Sequence, residues 1–109
     1  MRKCKHNLHV YNLLTRKREY KAVVGYQFSV PKLKGVKLFI HKDDTGDLSG
    51  TPLWTVSEVS TGMVVTSGNE TLKEAKQSIE AKVRIHGVRT IRSEIKSNIE
   101  VFGIVPDVL

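Results

Sequence analysis

The chain has 109 residues, a formal net charge of +7 and a single cysteine, Cys4. That length suits one domain, residues 1–109, with its own hydrophobic core. One cysteine excludes an internal disulfide, no run approaches the ~18 apolar residues of a membrane-spanning helix, and the basic start MRKCKHNLHV has no apolar run behind it; a cytoplasmic protein without a membrane partner is expected.

Charge is unevenly spread. Residues 1–42 carry eleven Lys and Arg against the lone acid Glu19, residues 43–80 carry seven Asp and Glu against Lys73 and Lys76, and residues 81–109 return to a slight basic excess. A basic third of this kind favours an anionic partner, DNA, RNA or a nucleoprotein, through phosphate contacts that release counterions. A solvated surface that keeps a small domain soluble accounts for the same charge equally well.

In chain order, Leu8–Leu14 reads as a strand with apolar residues on both faces, and TRKR, Thr15–Arg18, as a polar turn. From Glu19 the alternation is strict. Tyr20, Ala22, Val24, Tyr26, Phe28 and Val30 share one face, and Pro31, which cannot donate to a ladder, ends the strand. Aromatics interleaved with bases invite comparison with base-stacking platforms, but so consistent an apolar face predicts core. PKLKG turns into a third strand, Val36–Lys42, with Val36, Leu38 and Ile40 on one side and Lys37, Phe39 and His41 on the other. In a meander, Arg16, Lys17, Arg18, Lys21, Lys32, Lys34 and Lys37 would frame one basic face, and these seven are the candidate contacts to a partner or to nucleic acid.

Residues 43–52, DDTGDLSGTP, form an acidic loop. Asp43, Thr45, Asp47 and Ser49 imitate the alternating ligands of a calcium loop, but Leu48 stands where such a loop needs Gly and Trp54 where it needs a bidentate Glu, so no metal is assigned. Asp43, Asp44 and Asp47 are instead a candidate acidic contact toward a basic groove on another protein.

Leu53–Gly87 organises the fold. Leu53–Val59 and Met63–Ser67 pair around Ser60, Thr61 and Gly62, and Asn69 or Thr71 then opens a helix, with Thr71 and Glu74 spaced as a capping box. Leu72, Ala75, Ile79, Val83 and His86 recur at helical steps, and Gly87 closes the helix. Val88, Ile91, Ile95, Ile99 and Phe102 repeat the same period, with Thr90 a candidate N-cap and Gly103 and Pro106 beyond the end. A final strand over IEVFGIV is the rival reading, but the helical period is sustained over more residues. Val105, Val108 and Leu109 predict a tail that docks.

Catalytic signals are sparse. Cys4-x-His6-x-x-His9 groups ligand-type side chains, but residues 4 and 6 would share a strand face that 9 would not, and no fourth ligand is near. No Ser or Cys has a nucleophile-elbow context and no Gly-rich phosphate loop occurs. Asp43, Asp44, Asp47 and Glu58 are the carboxylates from which a magnesium-dependent nuclease would be built.

The run from Trp54 to Ala75 resembles a pattern in small phage and mobile-element proteins, in which a W-x-V-x-E-x-x-T-G hairpin leads into T-x-x-E-A at the start of a helix. That group includes anti-CRISPR inhibitors, so the resemblance implies a host-cell protein that binds an effector nuclease and obstructs its guide or target. The strand-strand-helix order is also similar to the second half of double-stranded-RNA-binding domains. Strands replace that family's first helix, however, and Thr71, Leu72, Lys73 and Glu74 stand where its basic cluster belongs, which argues against duplex RNA.

The expected fold is α+β, about five antiparallel strands followed by two C-terminal helices packed on one face. The expected action is binding without catalysis or cofactor, by docking on a protein or nucleoprotein complex that processes nucleic acid. The alternatives are a direct nucleic-acid-binding module and the metal-dependent nuclease.

Overall fold

The computed structural model describes residues 2–43, 53–106 and 108. Strands β1 (Arg2–Asn12), β2 (Lys17–Phe28), β3 (Leu38–Asp43), β4 (Leu53–Glu58) and β5 (Val64–Asn69) follow one another as an antiparallel meander, and helices α1 (Leu72–His86) and α2 (Val88–Phe102) follow them. The architecture is the expected α+β one. β1 starts at Arg2, ahead of the apolar pattern, because all eleven of its residues pair with β2. The turn accordingly falls at residues 13–16, and Lys17 and Arg18 belong to β2.

Local chemistry accounts for the helices. Thr71 caps α1, its hydroxyl accepting from the Glu74 N–H at 3.0 Å, while the Glu74 carboxylate reaches back to the Glu70 N–H at 3.0 Å. Gly87 both ends α1 and caps α2, so Thr90 lies inside the second helix and is not its cap. The Gly103 N–H donates to the Ile99 carbonyl at 2.8 Å and closes α2, which makes residues 99–102 helix and not strand.

Ala75, Ile79 and Val83 of α1 and Ile91 of α2 bury one sheet face together with Leu38, Ile40, Val56, Val30 and Leu33. Polar ties fix α1 on β5: the hydroxyls of Thr66 and Ser78 are 2.8 Å apart, and Lys82 Nζ donates to the Val65 carbonyl at 3.0 Å. The strict alternation of β2 predicts one buried face along its whole length, but burial holds only from Tyr26 onward. Tyr20 is 47% and Val24 52% exposed, because α1 packs on β4 and β5 and leaves the far half of β2 uncovered.

The opposite sheet face is buried by curvature. β2 pairs with β3 only through Tyr26, Gln27 and Phe28, and β5 shows register irregularities against β4, which sharpen twist and bend. The β1–β2 ribbon curls until the outer edge of β1 meets the β4–β5 turn, where the His9 N–H donates to the Gly62 carbonyl at 2.9 Å. Phe39 and Ser57 are fully enclosed on this inner face, with Thr55, His41 and Leu8 around them. Two polar pairs lie on it, His41 Nε2 2.9 Å from Ser57 Oγ and His6 Nε2 2.9 Å from Gln27 Oε1, while the buried Thr55 hydroxyl has no hydrogen-bond partner among the described residues. The tail docks at residues 105 and 106, with the Val105 N–H donating to the Ser60 carbonyl and Asn7 Nδ2 to the Pro106 carbonyl, both at 2.8 Å, while Leu109 lies outside the described residues.

Candidate partner and nucleic-acid interface

The seven candidate bases are all exposed, and six of them fall into two groups, with Lys37 apart. The first stands at the tip of the β1–β2 ribbon. Asn12 organises that turn: its side-chain oxygen accepts from the Leu14 N–H at 2.9 Å and the Thr15 N–H at 3.3 Å, and its carbonyl accepts from the Arg16 N–H at 2.8 Å. Arg16 takes a left-handed conformation with φ 57°. Glu19 braces the turn, accepting from Asn12 Nδ2 at 3.2 Å and from Thr15 Oγ1 at 3.4 Å. On this support Leu13 and Leu14 are 82% and 96% exposed. Arg18 folds back, its guanidinium 4.3 Å from the centroid of the Phe102 ring. Lys21 follows on β2, opposite Leu8.

His9 is held at the base of this tip. Its ring stacks on Tyr20 at 5.4 Å and meets Phe102 edge-on at 5.1 Å, while its buried Nδ1 has no hydrogen-bond partner among the described residues. Burial, and then the Arg18 charge, push the imidazole pKa below its ordinary 6.5.

The second group lies at the 3₁₀ turn Pro31–Leu33. Leu33 is fully buried and anchors the turn, leaving Lys32 and Lys34 outside. Arg92 of α2 donates through Nη2 to the Lys34 carbonyl at 2.6 Å. A cavity of about 250 Å³ separates Val30, Pro31 and Lys32 from Glu80, Val83 and Arg84 of α1. Two arginines that sequence reasoning missed therefore join Lys32 and Lys34 at one pole, with Glu80 on its rim. The exposed Arg89, Arg92 and Lys96 recur at helical steps on one flank of α2, which is the signal that would have found the second of them.

Lys37 stands apart from both groups, lining with Lys5 a groove of about 390 Å³ whose far wall is the tail, Ile104–Pro106. The two main groups are connected along α2: Arg92 touches one and Phe102 the other, about 15 Å apart at ~1.5 Å of rise per residue. Leu13 and Leu14 are the other residues missed, since they merge into the apolar run from Leu8.

Of the acidic candidates, Asp43 closes β3, while Asp44 and Asp47 lie outside the described residues. Glu58, the remaining carboxylate of the nuclease reading, is buried at the end of β4 and braces the β4–β5 turn. Its oxygens accept from the Ser60 N–H at 2.6 Å, the Ser60 hydroxyl at 2.7 Å and the Thr61 N–H at 3.1 Å. Cys4 and His6 share the inner strand face and His9 lies on the other; among the described residues no three His, Cys, Asp or Glu side chains converge as metal ligands. No helix of the described residues is long and apolar enough to cross a membrane. Compared with protein-family models, curated proteins and solved structures, the chain matches none.

Proposed function

We propose that this chain is a non-enzymatic binding protein that docks on a nucleic-acid-processing complex in the host cytoplasm, as small phage and mobile-element inhibitors do, anti-CRISPR inhibitors of effector nucleases among them. The ribbon tip carries this reading. Leu13 and Leu14 project almost wholly into water from a turn that Asn12 and Glu19 hold in place. A rigid exposed apolar pair is an anchor for an apolar pocket on a partner. Arg16, Lys17 and Arg18 beside it suit an acidic or phosphate-bearing rim. The resemblance of the Trp54–Ala75 run to phage and mobile-element proteins supports the same class.

The 3₁₀ pole favours a second reading, direct nucleic-acid binding, because Lys32, Lys34, Arg84 and Arg92 offer phosphate contacts that need no partner protein.

Docking is tested by adding the protein to a panel of purified, guide-loaded effector nucleases and measuring target cleavage. Inhibition by the wild type, lost in the double variant Leu13→Ser, Leu14→Ser, is expected. Docking is overturned by no inhibition of any nuclease together with no protein retained from nuclease-treated host extract.

A further inference from the structure

We propose that the cleft where β2 parts from β3 takes a segment of single-stranded nucleic acid, an assignment that rests on the nucleic-acid side of the function above and gives it a place and a ligand class. The β2–β3 ladder ends at Tyr26↔Ile40, although β2 continues back to Lys17 and β3 on to Asp43. Gly25 stands at the fork. A Cβ there would lie 2.9 Å from the Phe39 ring and press on the Ile40 carbonyl, so β2 can cross β3 this closely only without a side chain. Beyond the fork a cavity of about 340 Å³ opens, lined by Lys3, residues 22–26, Lys42 and Trp54.

Four of these side chains supply what a single strand requires. Lys3 pairs across the ladder with Tyr26, Tyr26 with Ile40, and Lys42, two residues on from Ile40, with Trp54. Directly paired residues, and residues two apart on a strand, share a sheet face, so Lys3, Tyr26, Lys42 and Trp54 all project from one side. Lys3 and Lys42 are exposed on opposite walls, Tyr26 and Trp54 are half-buried between them, and Val24, 52% exposed, adds apolar surface. The Lys42 ammonium stands 5.5 Å from the centre of the Trp54 ring, which places a cation for phosphate beside an aromatic face for a base. No acidic side chain lines the cavity among the described residues. Aromatic rings between bases are the chemistry of strand binding without sequence preference, and a duplex, whose base faces are covered in the stack, cannot use rings recessed in a cleft.

Trp54 is the only tryptophan of the chain, so its emission reports on this cleft directly. The full-length protein is titrated at low salt with a short oligothymidylate, read by polarisation of a labelled strand and by Trp54 fluorescence with an unlabelled one. Quenching of Trp54 at the same midpoint as the polarisation change is expected. The double variant Lys3→Glu, Lys42→Glu, whose fold is checked by circular dichroism, should bind roughly tenfold more weakly or worse, lose the quench, and show a salt slope smaller by about 1.4, at ~0.7 for each single-strand phosphate contact. Lys32→Glu, Lys34→Glu should keep the quench at saturation, and a duplex of equal length should leave Trp54 emission unchanged. Polarisation without quenching, equal quenching by the duplex, or undiminished binding by the Lys3, Lys42 variant overturns the cleft while nucleic-acid binding itself stands. No polarisation change with either nucleic acid overturns the nucleic-acid side of the function and the cleft with it.

Discussion

The backbone N–H of His9 donates to the carbonyl of Gly62 at 2.9 Å, joining the outer edge of β1 to the turn between β4 and β5 and closing the curl of the sheet. Gly62 has φ 65°, and a Cβ on it would lie 2.8 Å from the His9 nitrogen and 3.0 Å from the Asn7 oxygen, both backbone atoms. Gly62→Ala thus combines left-handed strain with overpacking against main chain that cannot swing aside, for a loss of about 2–4 kcal/mol. Urea unfolding should show a lower midpoint at unchanged slope; a midpoint equal to that of the wild type would mean that the closure contributes nothing.

Phe39 fills the inner face that this closure creates. It is fully buried, with the His6 ring edge-on at 5.0 Å and the His41 ring stacked at 5.4 Å. Phe39→Ala should cost about 3–5 kcal/mol, the range for a large aromatic leaving a cavity, and Phe39→Leu clearly less. If the alanine variant loses under ~1 kcal/mol in the same measurement, this face is not a second core.

What was legible in the sequence was the local part of the fold. Thr71 caps a helix through bonds within one turn, and the stripe Leu72, Ala75, Ile79, Val83 states its own period, so β4, β5, α1 and α2 follow from neighbours along the chain. The curl does not, because His9 meets Gly62 and Phe102 across most of the sequence. The alternation in β2 says which residues share a face and is silent on what covers it, hence the exposed Tyr20 and Val24. In the interface, Lys32 and Lys34 stand on an exposed turn as read, but the turn at Gly87 is what brings Arg84 and Arg92 beside them. Leu13 and Leu14 continue an apolar run in the sequence, and only the hydrogen bonds of Asn12 mark where strand becomes tip.

The α1 cap offers a local test. The Thr71 hydroxyl accepts from the Glu74 N–H at 3.0 Å. Thr71→Ala should destabilise by about 1 kcal/mol, while Thr71→Ser should stay near wild type because it keeps the acceptor. Thermal unfolding of the pair separates the cap from general effects of substitution: equal melting temperatures for the two variants would assign the loss to the methyl group and not to the bond.

His9 predicts a pH dependence whose sign follows from its surroundings. Burial, and second the Arg18 guanidinium, hold its folded pKa below 6.5, so the unfolded chain takes up the proton first as pH falls. The folded state then binds fewer protons than the unfolded one, and the stability that His9 governs is full above about 6.5, declines as pH drops through 6.5 toward the folded pKa, and levels off below it. Arg18→Gln removes the charge and leaves the burial, so the His9 pKa should rise yet remain under 6.5, with a shallower decline in stability. His9→Phe should abolish this contribution while keeping a ring against Tyr20 and Phe102. NMR titration of the His9 ring in wild type and Arg18→Gln decides the matter: a pKa unmoved or lowered by the substitution removes Arg18 from the mechanism, and a wild-type value at or above 6.5 removes the pH dependence altogether.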